Sequence, residues 1–332
     1  MLVTGATGFV GAHVVPALLV GGYRVRVLAR DATRLPAEWI GHVEVAPAGG
    51  LDAGAALAEA VAGCEVVVHL AGRAHVLRER SAAEAEREFA AVNVEGTRAV
   101  ARAAVDAGVR LVVHASSVGA VATTSSAPVT DSTPSTPDTA YGRSKLAAER
   151  ALREAVETTG TAAVSLRPPM MFGPGMRGNP LRLFALVSRG VPLPVAGVRN
   201  QRSLLYVENF ARVVRAVVGR DWAGVHDHLV ADSPSMSTAE FARRAGVALG
   251  RPAVLVPVPI AALRILGRAG TAIQRVAPFP ITNTAVERFT GSLVVDDGRL
   301  RALLGPVPAV ALDDALARTA VWYQGAARAH AV

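Results

Sequence analysis

The chain has 332 residues, of which 51 % are hydrophobic and 19 % are charged, and its formal net charge at pH 7 is +8. This composition excludes a disordered protein, and the length suits two domains or one large body with a cap. The arginines are dispersed and aromatic residues make up only 5 % of the chain, so we expect no nucleic-acid partner. The positive charge favours a phosphorylated small molecule as ligand.

Short apolar runs alternate with longer amphipathic stretches through the first half of the chain. The apolar runs predict six strands, which are Leu2–Thr4, Arg24–Leu28, Val43–Ala46, Val66–Leu70, Leu111–Ala115 and Val164–Arg167. The amphipathic stretches predict four helices, which are Val10–Val20, Gly54–Ala62, Phe89–Gly108 and Tyr141–Thr158. This order of elements is typical of an α/β protein with a doubly wound parallel sheet.

The pattern changes after Arg167, where the alternation gives way to connections rich in proline and glycine. We place a domain boundary here. Residues 1–167 form the first domain, and residues 168–332 form mainly a smaller α+β domain, some segments of which return to pack on the first.

The N-terminal stretch and the cysteine content indicate the cellular compartment in which the protein works. Residues 1–23 carry no formal charge apart from that of a protonated His13, but Gly5, Gly8, Gly11 and Pro16 interrupt them, so they predict neither a signal peptide nor a membrane span. The uncharged residues 252–263 are too short to cross a membrane. Cys64 is the only cysteine, which excludes an internal disulfide and suits a reducing compartment. We therefore expect a cytoplasmic protein without a membrane span.

A glycine-rich turn, Thr4-Gly5-Ala6-Thr7-Gly8-Phe9-Val10-Gly11, follows the first predicted strand and opens the first predicted helix. Its G-x-x-G-x-x-G spacing is a variant of the dinucleotide fingerprint, in which glycines let the backbone approach a pyrophosphate at a helix N-terminus. A tight turn without a ligand would also use glycines, but the strand–turn–helix context favours a cofactor site. The residues predicted to bind the cofactor here are Gly5, Thr7, Gly8, Phe9, Val10 and Gly11.

The end of the second predicted strand bears on the choice of cofactor. An enzyme that prefers NAD usually has an acidic residue here, which accepts hydrogen bonds from the ribose hydroxyls. This chain has Ala29-Arg30-Asp31, and Arg30, helped by Arg34, would meet the 2′-phosphate of NADP through charge-assisted hydrogen bonds. A solvated strand end is the alternative interpretation, and Asp31 keeps NAD open. We predict NADP or NAD as cofactor and favour NADP.

Lys145 is the only lysine among the 35 basic residues counted as lysine or arginine. It follows Tyr141 by four residues, so a helix would place the phenol and the ammonium on one face. The ammonium of lysine is a compact point charge, whereas the guanidinium of arginine is a wide planar fork. A narrow site that needs an ammonium would therefore keep its lysine even in a chain whose other basic residues are biased toward arginine. A chance pair on a helix surface is the alternative.

Several motifs occur in a fixed order along the chain. They are the glycine turn, His69-Leu70-Ala71-Gly72, Asn93-Val94-Glu95-Gly96-Thr97, Ser116-Ser117, Tyr141 to Lys145, Leu166-Arg167-Pro168-Pro169, Phe172-Gly173-Pro174-Gly175, Arg202 to Val207, and Leu303-Leu304-Gly305. In this order the chain resembles an extended short-chain dehydrogenase/reductase of the NAD-dependent epimerase/dehydratase family over nearly its whole length. Within that family it resembles enzymes of the UDP-glucose 4-epimerase type and nucleotide-sugar 4-reductases.

The resemblance implies a Rossmann-type first domain that binds NAD(P) and a second domain that binds the substrate. It implies Tyr141 as general acid/base, Lys145 as its electrostatic partner and ribose ligand, and Ser117 as the hydroxyl that orients the substrate oxygen, with Ser116 as the neighbouring alternative. The lysine and an oxidised nicotinamide would favour the phenolate form of the tyrosine, whose ordinary pKa is about 10. Asn93 is a further catalytic candidate, which holds a water or a backbone kink near the tyrosine or else packs locally.

The resemblance also places Leu70, Ala71 and Gly72 at the cofactor. Near the diphosphate of the substrate it places Arg202 and Asn179. It implies a homodimer that forms through the two long predicted helices. No metal site is expected, because the histidines of the motifs lack the spacing of metal ligands.

Two departures from the family pattern narrow the expected chemistry. Met170 stands where 4-epimerases have an asparagine near the substrate phosphates, which leaves a net reductase or dehydrogenase open beside an epimerase. Val118 and Gly119 replace the Asp-Glu pair of 4,6-dehydratases, which disfavours elimination. The preferred prediction is hydride transfer at a secondary alcohol or ketone, at C4 of a nucleotide-linked sugar.

Two other functions stay open. The first is an NADP-dependent reductase or dehydrogenase of an apolar carbonyl or hydroxysteroid-like molecule, suggested by Arg30 and by the apolar stretch Val254–Leu266. The second is a non-catalytic dinucleotide-binding sensor or assembly subunit. Retention of Tyr141, Lys145 and Ser117 disfavours the second.

Overall fold

A computed structural model describes residues 1–51, 54–74, 82–273 and 283–329. Its strands are β1 (Leu2–Thr4), β2 (Val25–Ala29), β3 (Val43–Pro47), β4 (Val66–His69), β5 (Leu111–Ala115), β6 (Ala162–Arg167), β7 (Met170–Phe172), β8 (Arg202–Tyr206), β9 (Val225–Leu229) and β10 (Asp232–Met236). Seven of them form a parallel sheet in the order β3-β2-β1-β4-β5-β6-β9. The strand order reverses between β1 and β4, and ligands of doubly wound sheets bind beyond the carboxyl ends of strands at such a point.

Helices lie on both faces of this sheet and around a second, smaller sheet. They are α1 (Gly11–Val20), α2 (Gly54–Val61), α3 (Ala82–Phe89), α4 (Gly96–Asp106), α5 (Ala140–Val156), α6 (Asn179–Ser188), α7 (Val207–Val218), α8 (Thr238–Ala248), α9 (Ile260–Ile273), α10 (Asn283–Thr290), α11 (Gly298–Leu304) and α12 (Leu312–Ala329). Leu2 packs under α2, α4 and α5, whereas its neighbour Val3 packs under α1 and α7. Successive strand residues thus fill two cores on opposite faces.

A smaller sheet has the order β10-β8-β7, in which β8 pairs parallel with β7 and antiparallel with β10. Its core contains Phe172, Phe184, Tyr206 and Phe241 and is covered by α6, α8 and α12. These elements all follow residue 167, but β9 and α7 also follow it and belong to the larger layer. The domain boundary at residue 167 stays a prediction.

The predicted fold class is confirmed. All six predicted strands are present, and none of their ends is displaced by more than two residues. The helix predicted over Phe89–Gly108 is wrong in detail, because α3 begins at Ala82 and a π-helical turn, Ala90–Glu95, separates it from α4. The wide turn contains Asn93, whose buried side chain bonds outside its own helix, and such turns are frequent at functional sites.

Candidate active site

The glycine turn between β1 and α1 lies against the segment that follows β4. Gly5 has a φ of +70°, and a Cβ atom there would be 2.6 Å from the Ala71 nitrogen. A Cβ atom on Gly11 would overlap the carbonyl oxygens of Gly5 and Ala6. Both positions therefore require glycine, and the close approach brings the carboxyl ends of β1 and β4 together.

The N-terminus of α1 opens from this turn and suits an anion. Val10 caps the helix without a side-chain hydrogen bond, and the first turn contains no acidic residue. Thr7 and Gly8 are exposed at the tip, whereas Phe9 is half-buried and packs edge-on against His13. The helix dipole and the backbone N–H groups of the turn favour a phosphate group at this point.

The residues after β4 lie between the glycine turn and Lys145. The Leu70 N–H donates to Thr4 O over 3.1 Å, and the Ala71 N–H donates to Thr4 Oγ1 over 3.2 Å. On the other side, a Cβ atom on Gly72 would be only 3.1 Å from Lys145 Nζ. The three residues predicted to contact the cofactor thus join two parts of one cleft.

The Asn93 side chain links this segment to the first turn of α5 through hydrogen bonds. Its side chain is 1 % exposed, accepts a hydrogen bond from the Arg73 N–H at 2.7 Å and donates to Arg73 O at 3.0 Å. The same amide nitrogen donates to Ser144 Oγ at 2.9 Å, and Ser144 Oγ donates to the Tyr141 carbonyl at 2.7 Å. The position of the cofactor-side loop is therefore linked to that of Tyr141.

Ser117 and Tyr141 meet where two backbone segments approach closely. Gly119 and Gly142 allow this approach, because a Cβ atom on Gly142 would overlap Gly119 O. Ser117 Oγ accepts a hydrogen bond from the Gly119 N–H at 3.1 Å, and a Cβ atom on Gly119 would lie 3.3 Å from Ser117 Oγ and 3.8 Å from the Tyr141 ring. The two side chains expected to handle the substrate oxygen are thus adjacent.

Lys145 is buried, with 5 % of its surface exposed, and its ammonium donates to Ala115 O at 2.8 Å. Burial lowers the pKa of Lys145 to about 8, while the Glu149 carboxylate opposes that shift. Because neutral pH lies below this value, the lysine stays mainly protonated and provides a fixed positive charge under the cleft.

Glu149 connects this lysine to a buried ion pair. It lies one helical turn beyond Lys145 and accepts hydrogen bonds from Arg167 Nε and Nη2 at 2.9 and 2.7 Å. Ser116 Oγ also donates to Glu149, so the serine at the phenol is Ser117 and not its neighbour. Glu149 was not among the predicted site residues, although its four-residue spacing from Lys145 on the same helix was a usable signal.

The protein groups alone raise the pKa of Tyr141 above its ordinary value, because the effect of burial exceeds that of the Ser117 hydroxyl. Phe89 adds to this environment by packing edge-on against the phenol at a centroid distance of 5.8 Å. The predicted preference for phenolate is therefore not produced by these groups. A positive charge beside the ring is needed to lower the pKa.

A chain of buried hydrogen bonds lies behind the site. Thr97 Oγ1 donates to Asn93 O at 2.7 Å, so we assign the 3.0 Å contact between Thr97 Oγ1 and His69 Nε2 to donation by the histidine. His69 Nδ1 then accepts from Thr4 Oγ1 at 2.7 Å, and Thr4 Oγ1 accepts from the Ala71 N–H. Burial, with a smaller effect of the nearby lysine, lowers the pKa of His69 to about 3, so the ring is neutral as this order requires. These residues tie the glycine turn to the π-helical turn.

Arg30 and Asp31 lie at the end of β2. Arg30 is exposed. Asp31 Oδ1 accepts hydrogen bonds from Thr33 Oγ1 at 2.6 Å and from the Thr33 N–H at 3.0 Å, which lower the pKa of Asp31. The carboxylate is thus engaged within its own turn.

The predicted substrate residues lie in the smaller layer. Arg202 begins β8, and its guanidinium donates to Gly291 O at 2.9 Å, just beyond α10. Asn179 begins α6 directly after Gly178, whose φ is +70°. The structure therefore brings together the glycine turn, the loop after β4 and the Ser117–Tyr141–Lys145 group, with Arg202 and Asn179 on the other layer.

This arrangement fits a dinucleotide. A backbone cradle that excludes side chains at Gly5 and Gly11 meets a helix N-terminus, and a buried ammonium lies near Gly72. Over the described ranges, no group of three or more side chains is arranged as metal ligands, and no helix is long and apolar enough to cross a membrane. Fold and site together define a dinucleotide-dependent enzyme of the doubly wound α/β class.

Residues 1–230 match the family model described as the NAD dependent epimerase/dehydratase family. The chain belongs to this family and is an NAD(P)-dependent enzyme of the extended short-chain dehydrogenase/reductase type.

Three known proteins illustrate the similarity. The UDP-glucose 4-epimerase of Vibrio cholerae is 31 % identical over 324 residues, which cover 96 % of this chain and 94 % of that protein. The N-acetyl-alpha-D-glucosaminyl-diphospho-ditrans,octacis-undecaprenol 4-epimerase of Escherichia coli O157:H7 is 26 % identical over 267 residues, which cover 79 % and 77 %. The solved structure of a double mutant of DesIV, the dTDP-glucose 4,6-dehydratase of Streptomyces venezuelae with NAD bound, is 27 % identical, with a TM-score of 0.74 and coverage of 97 % and 96 %.

Proposed function

We propose that this enzyme transfers a hydride between NAD(P) and C4 of a nucleotide-linked sugar, as an epimerase or as a net reductase or dehydrogenase. The adjacency of Ser117 and Tyr141 around Gly119, with the buried Lys145 one helical turn beyond Tyr141, carries the proposal. The substrate class is supported by a relative named as a UDP-glucose 4-epimerase, which matches nearly the whole chain.

Tyr141 is the general acid/base in this proposal. Its Oη takes the proton of the sugar hydroxyl while Ser117 Oγ orients that hydroxyl, and the hydrogen on the same carbon leaves as hydride. Bound NAD(P)⁺ would supply the hydride acceptor and a positive charge near the phenol. Lys145 supplies a second positive charge, and together the two charges favour phenolate against the effect of burial. In the reverse direction, Tyr141 returns the proton to the ketone oxygen.

We propose that the cofactor lies along the glycine turn and the loop after β4. Its contacts are then Gly5, Thr7, Gly8, Phe9, Val10, Gly11, Arg30, Leu70, Ala71, Gly72, Tyr141 and Lys145. The role of Asn93 is to hold the loop after β4 in place for this contact. We favour NADP because Arg30 is exposed while the neighbouring Asp31 is engaged with Thr33.

For the substrate, we propose that Arg202 and Asn179 contact the diphosphate. Arg202 is half-buried, and its guanidinium is positioned by Gly291 O. Asn179 is half-buried at the N-terminus of α6, where the helix dipole favours an anion.

The test is a panel of UDP-hexoses assayed for epimer formation and for cofactor reduction or oxidation. We expect Tyr141→Phe to lower turnover by about 10²- to 10⁴-fold, the usual contribution of a general acid/base. Tyr323→Phe is the matched control, since its hydroxyl contacts only Ser188 of the described residues, in the smaller layer. Absence of turnover on every nucleotide sugar would contradict the substrate assignment, and an unchanged Tyr141→Phe would favour a non-catalytic sensor or subunit.

A second candidate keeps the hydride chemistry but acts on an apolar or lipid-linked substrate. It is supported by five exposed apolar side chains within residues 254–266 and by a relative named for a lipid-linked sugar diphosphate. Competition by UDP separates the candidates, because only a nucleotide-sugar site should bind UDP tightly.

We also propose a cytoplasmic homodimer. The helices α4 and α5 pack side by side, are joined by the Arg98–Glu154 ion pair at 3.2 Å and form one continuous surface for a second copy. Cys64 as the only cysteine supports a reducing compartment. Light scattering in solution tests the dimer.

A further inference from the structure

One part of the smaller layer exposes apolar side chains that a protein usually buries. The exposed residues are Val254, Val256, Ile260, Ile265 and Leu266. Single exposed apolar residues are ordinary, but five within one short segment indicate an interaction surface. We call these five residues, together with Arg264 and Arg268, the α9 surface.

The helix α9 buries only one side. Leu263, Gly267 and Gly270 are buried, and they lie three or four residues apart along one face. A Cβ atom on Gly267 would be 3.2 Å from the Asn283 Cα atom, so this face packs closely on α10. The face is narrow, and most of the helix circumference is exposed.

The exposed side of α9 is itself divided into an apolar stripe and a basic border. Ala261 and Ile265, one turn apart, lie beside Leu266 in the stripe, and Ile265 is 67 % exposed. Arg264 and Arg268, also one turn apart, are exposed along one border. Within the described ranges, neither arginine forms a salt bridge.

The surrounding sequence has the same sign of charge. Residues 241–286 contain six arginines and no aspartate or glutamate. An exposed apolar stripe with a basic border complements a lipid surface with negative headgroups.

We propose that the α9 surface docks the enzyme onto a bilayer that contains anionic phospholipid. α9 has 14 residues. At about 1.5 Å per residue this is shorter than the roughly 30 Å hydrocarbon core, so the helix lies in the interface and does not span the bilayer. Ile265 and Leu266 enter the boundary between headgroups and acyl chains, and Arg264 and Arg268 contact phosphates.

Docking would orient the substrate side of the enzyme toward the bilayer. α9 packs on α10, and carbonyls at the end of α10 accept hydrogen bonds from Asn200 and Arg202. The proposal itself does not depend on the reaction, because binding to vesicles is measured without a substrate.

The experiment is cosedimentation of the full chain with vesicles of phosphatidylcholine alone or mixed with phosphatidylglycerol. We expect binding to the mixed vesicles that weakens with added salt. The double variant Arg264→Gln/Arg268→Gln should bind them about 30-fold more weakly, from roughly 1 kcal/mol per arginine near an anionic surface. Ile265→Glu with Leu266→Glu should abolish binding.

Ile40→Glu is the matched control, because Ile40 is 74 % exposed but lies in the larger layer. Its binding should equal that of the wild type, and dinucleotide affinity should be the same in all variants. No binding to either type of vesicle, or equal losses for Ile40→Glu and the Ile265→Glu/Leu266→Glu pair, overturns the proposal. A dimer that dissociates on changing Ile265 and Leu266, without vesicle binding, assigns the surface to a second copy and also overturns it. Loss of sugar turnover alone bears only on the proposed reaction.

Discussion

Lys145 is charged at neutral pH in a position where burial disfavours the charge, and the cost depends on pH. Its pKa falls from an ordinary value of 10.5 to about 8 in the folded protein. Between these values the unfolded chain binds more protons than the folded one, so the free energy of unfolding rises with pH across this window. The loss of stability caused by burying the charged lysine is complete below about pH 8 and absent above pH 10.5, the pKa of lysine in the unfolded chain. Integration from pH 7 to pH 10 gives about 2–3 kcal/mol.

Lys145→Met isolates this contribution, because it removes the titrating group and keeps a side chain of similar length. Urea unfolding of both proteins is measured at several pH values from 7 to 10. We expect the wild type to gain about 2–3 kcal/mol relative to the variant over this range. The charge of Lys145 also lowers the pKa values of His69 and His114, but burial already holds both far below 7, so neither histidine titrates between pH 7 and pH 10.

Arg143→Met is the control, since Arg143 is exposed on the same helix and the substitution likewise replaces a basic side chain by methionine. The difference in free energy of unfolding between this variant and the wild type should be the same at every pH. If the difference in free energy of unfolding between Lys145→Met and the wild type is also the same at every pH, the reasoning is refuted, because the lysine would then have its ordinary pKa in the folded protein.

Three further predictions concern the site. Lys145→Arg should lower kcat/KM by about 100-fold, because a planar guanidinium cannot keep the 2.8 Å contact with Ala115 O; full activity would contradict the argument from the uniqueness of this lysine. Glu149→Gln should destabilise the protein by about 3 kcal/mol, since it leaves Arg167 buried without its bidentate partner. The substitution should also move the alkaline limb of the pH profile of activity to lower pH. If the Tm falls but this limb does not move, the role of Glu149 is purely structural. Arg30→Ala should weaken NADP binding at least about 10-fold and leave NAD binding unchanged in fluorescence titrations, whereas equal changes would argue against a 2′-phosphate contact.

Local periodicity was enough to predict six of the seven strands of the larger sheet, but not β9, whose sequence Val225-His226-Asp227-His228-Leu229 is not a continuous apolar run. Strands such as Leu111–Ala115 are continuous apolar runs because both faces of a parallel sheet are covered, and this pattern is readable without tertiary information. The glycine turn was predictable for a similar reason, since Gly11 approaches the carbonyl oxygens of Gly5 and Ala6 within the same strand–turn–helix unit, whereas the approach of Gly5 to Ala71 was not. The spacing of Tyr141 and Lys145 required only the geometry of one helix.

What the sequence did not reveal depends on contacts between distant residues. Asn93 holds Arg73, twenty positions earlier, and Ser144, fifty-one positions later, and only that pairing explains the wide π-helical turn. The ion pair of Glu149 with Arg167 likewise joins a helix to the end of a strand. Periodicity carries no information on which polar groups meet in the folded chain, so these pairings were found only in the structure.

The directions of the two pKa shifts explain why lysine alone does not activate the tyrosine in the proposed reaction. Burial favours the neutral form of both groups, since it raises the pKa of Tyr141 and lowers that of Lys145. Oxidised nicotinamide is a cation and reduced nicotinamide is neutral, so in the proposed reaction a bound cofactor would change the charge beside the phenol with the hydride. Phenolate is then favoured when an alcohol is to be oxidised, and phenol when a ketone is to be reduced. A tyrosine whose pKa the protein alone held low would remain phenolate in both states and would be a poor acid for the return step. In the proposed reaction, the burial that opposes the phenolate would therefore let the proton follow the hydride.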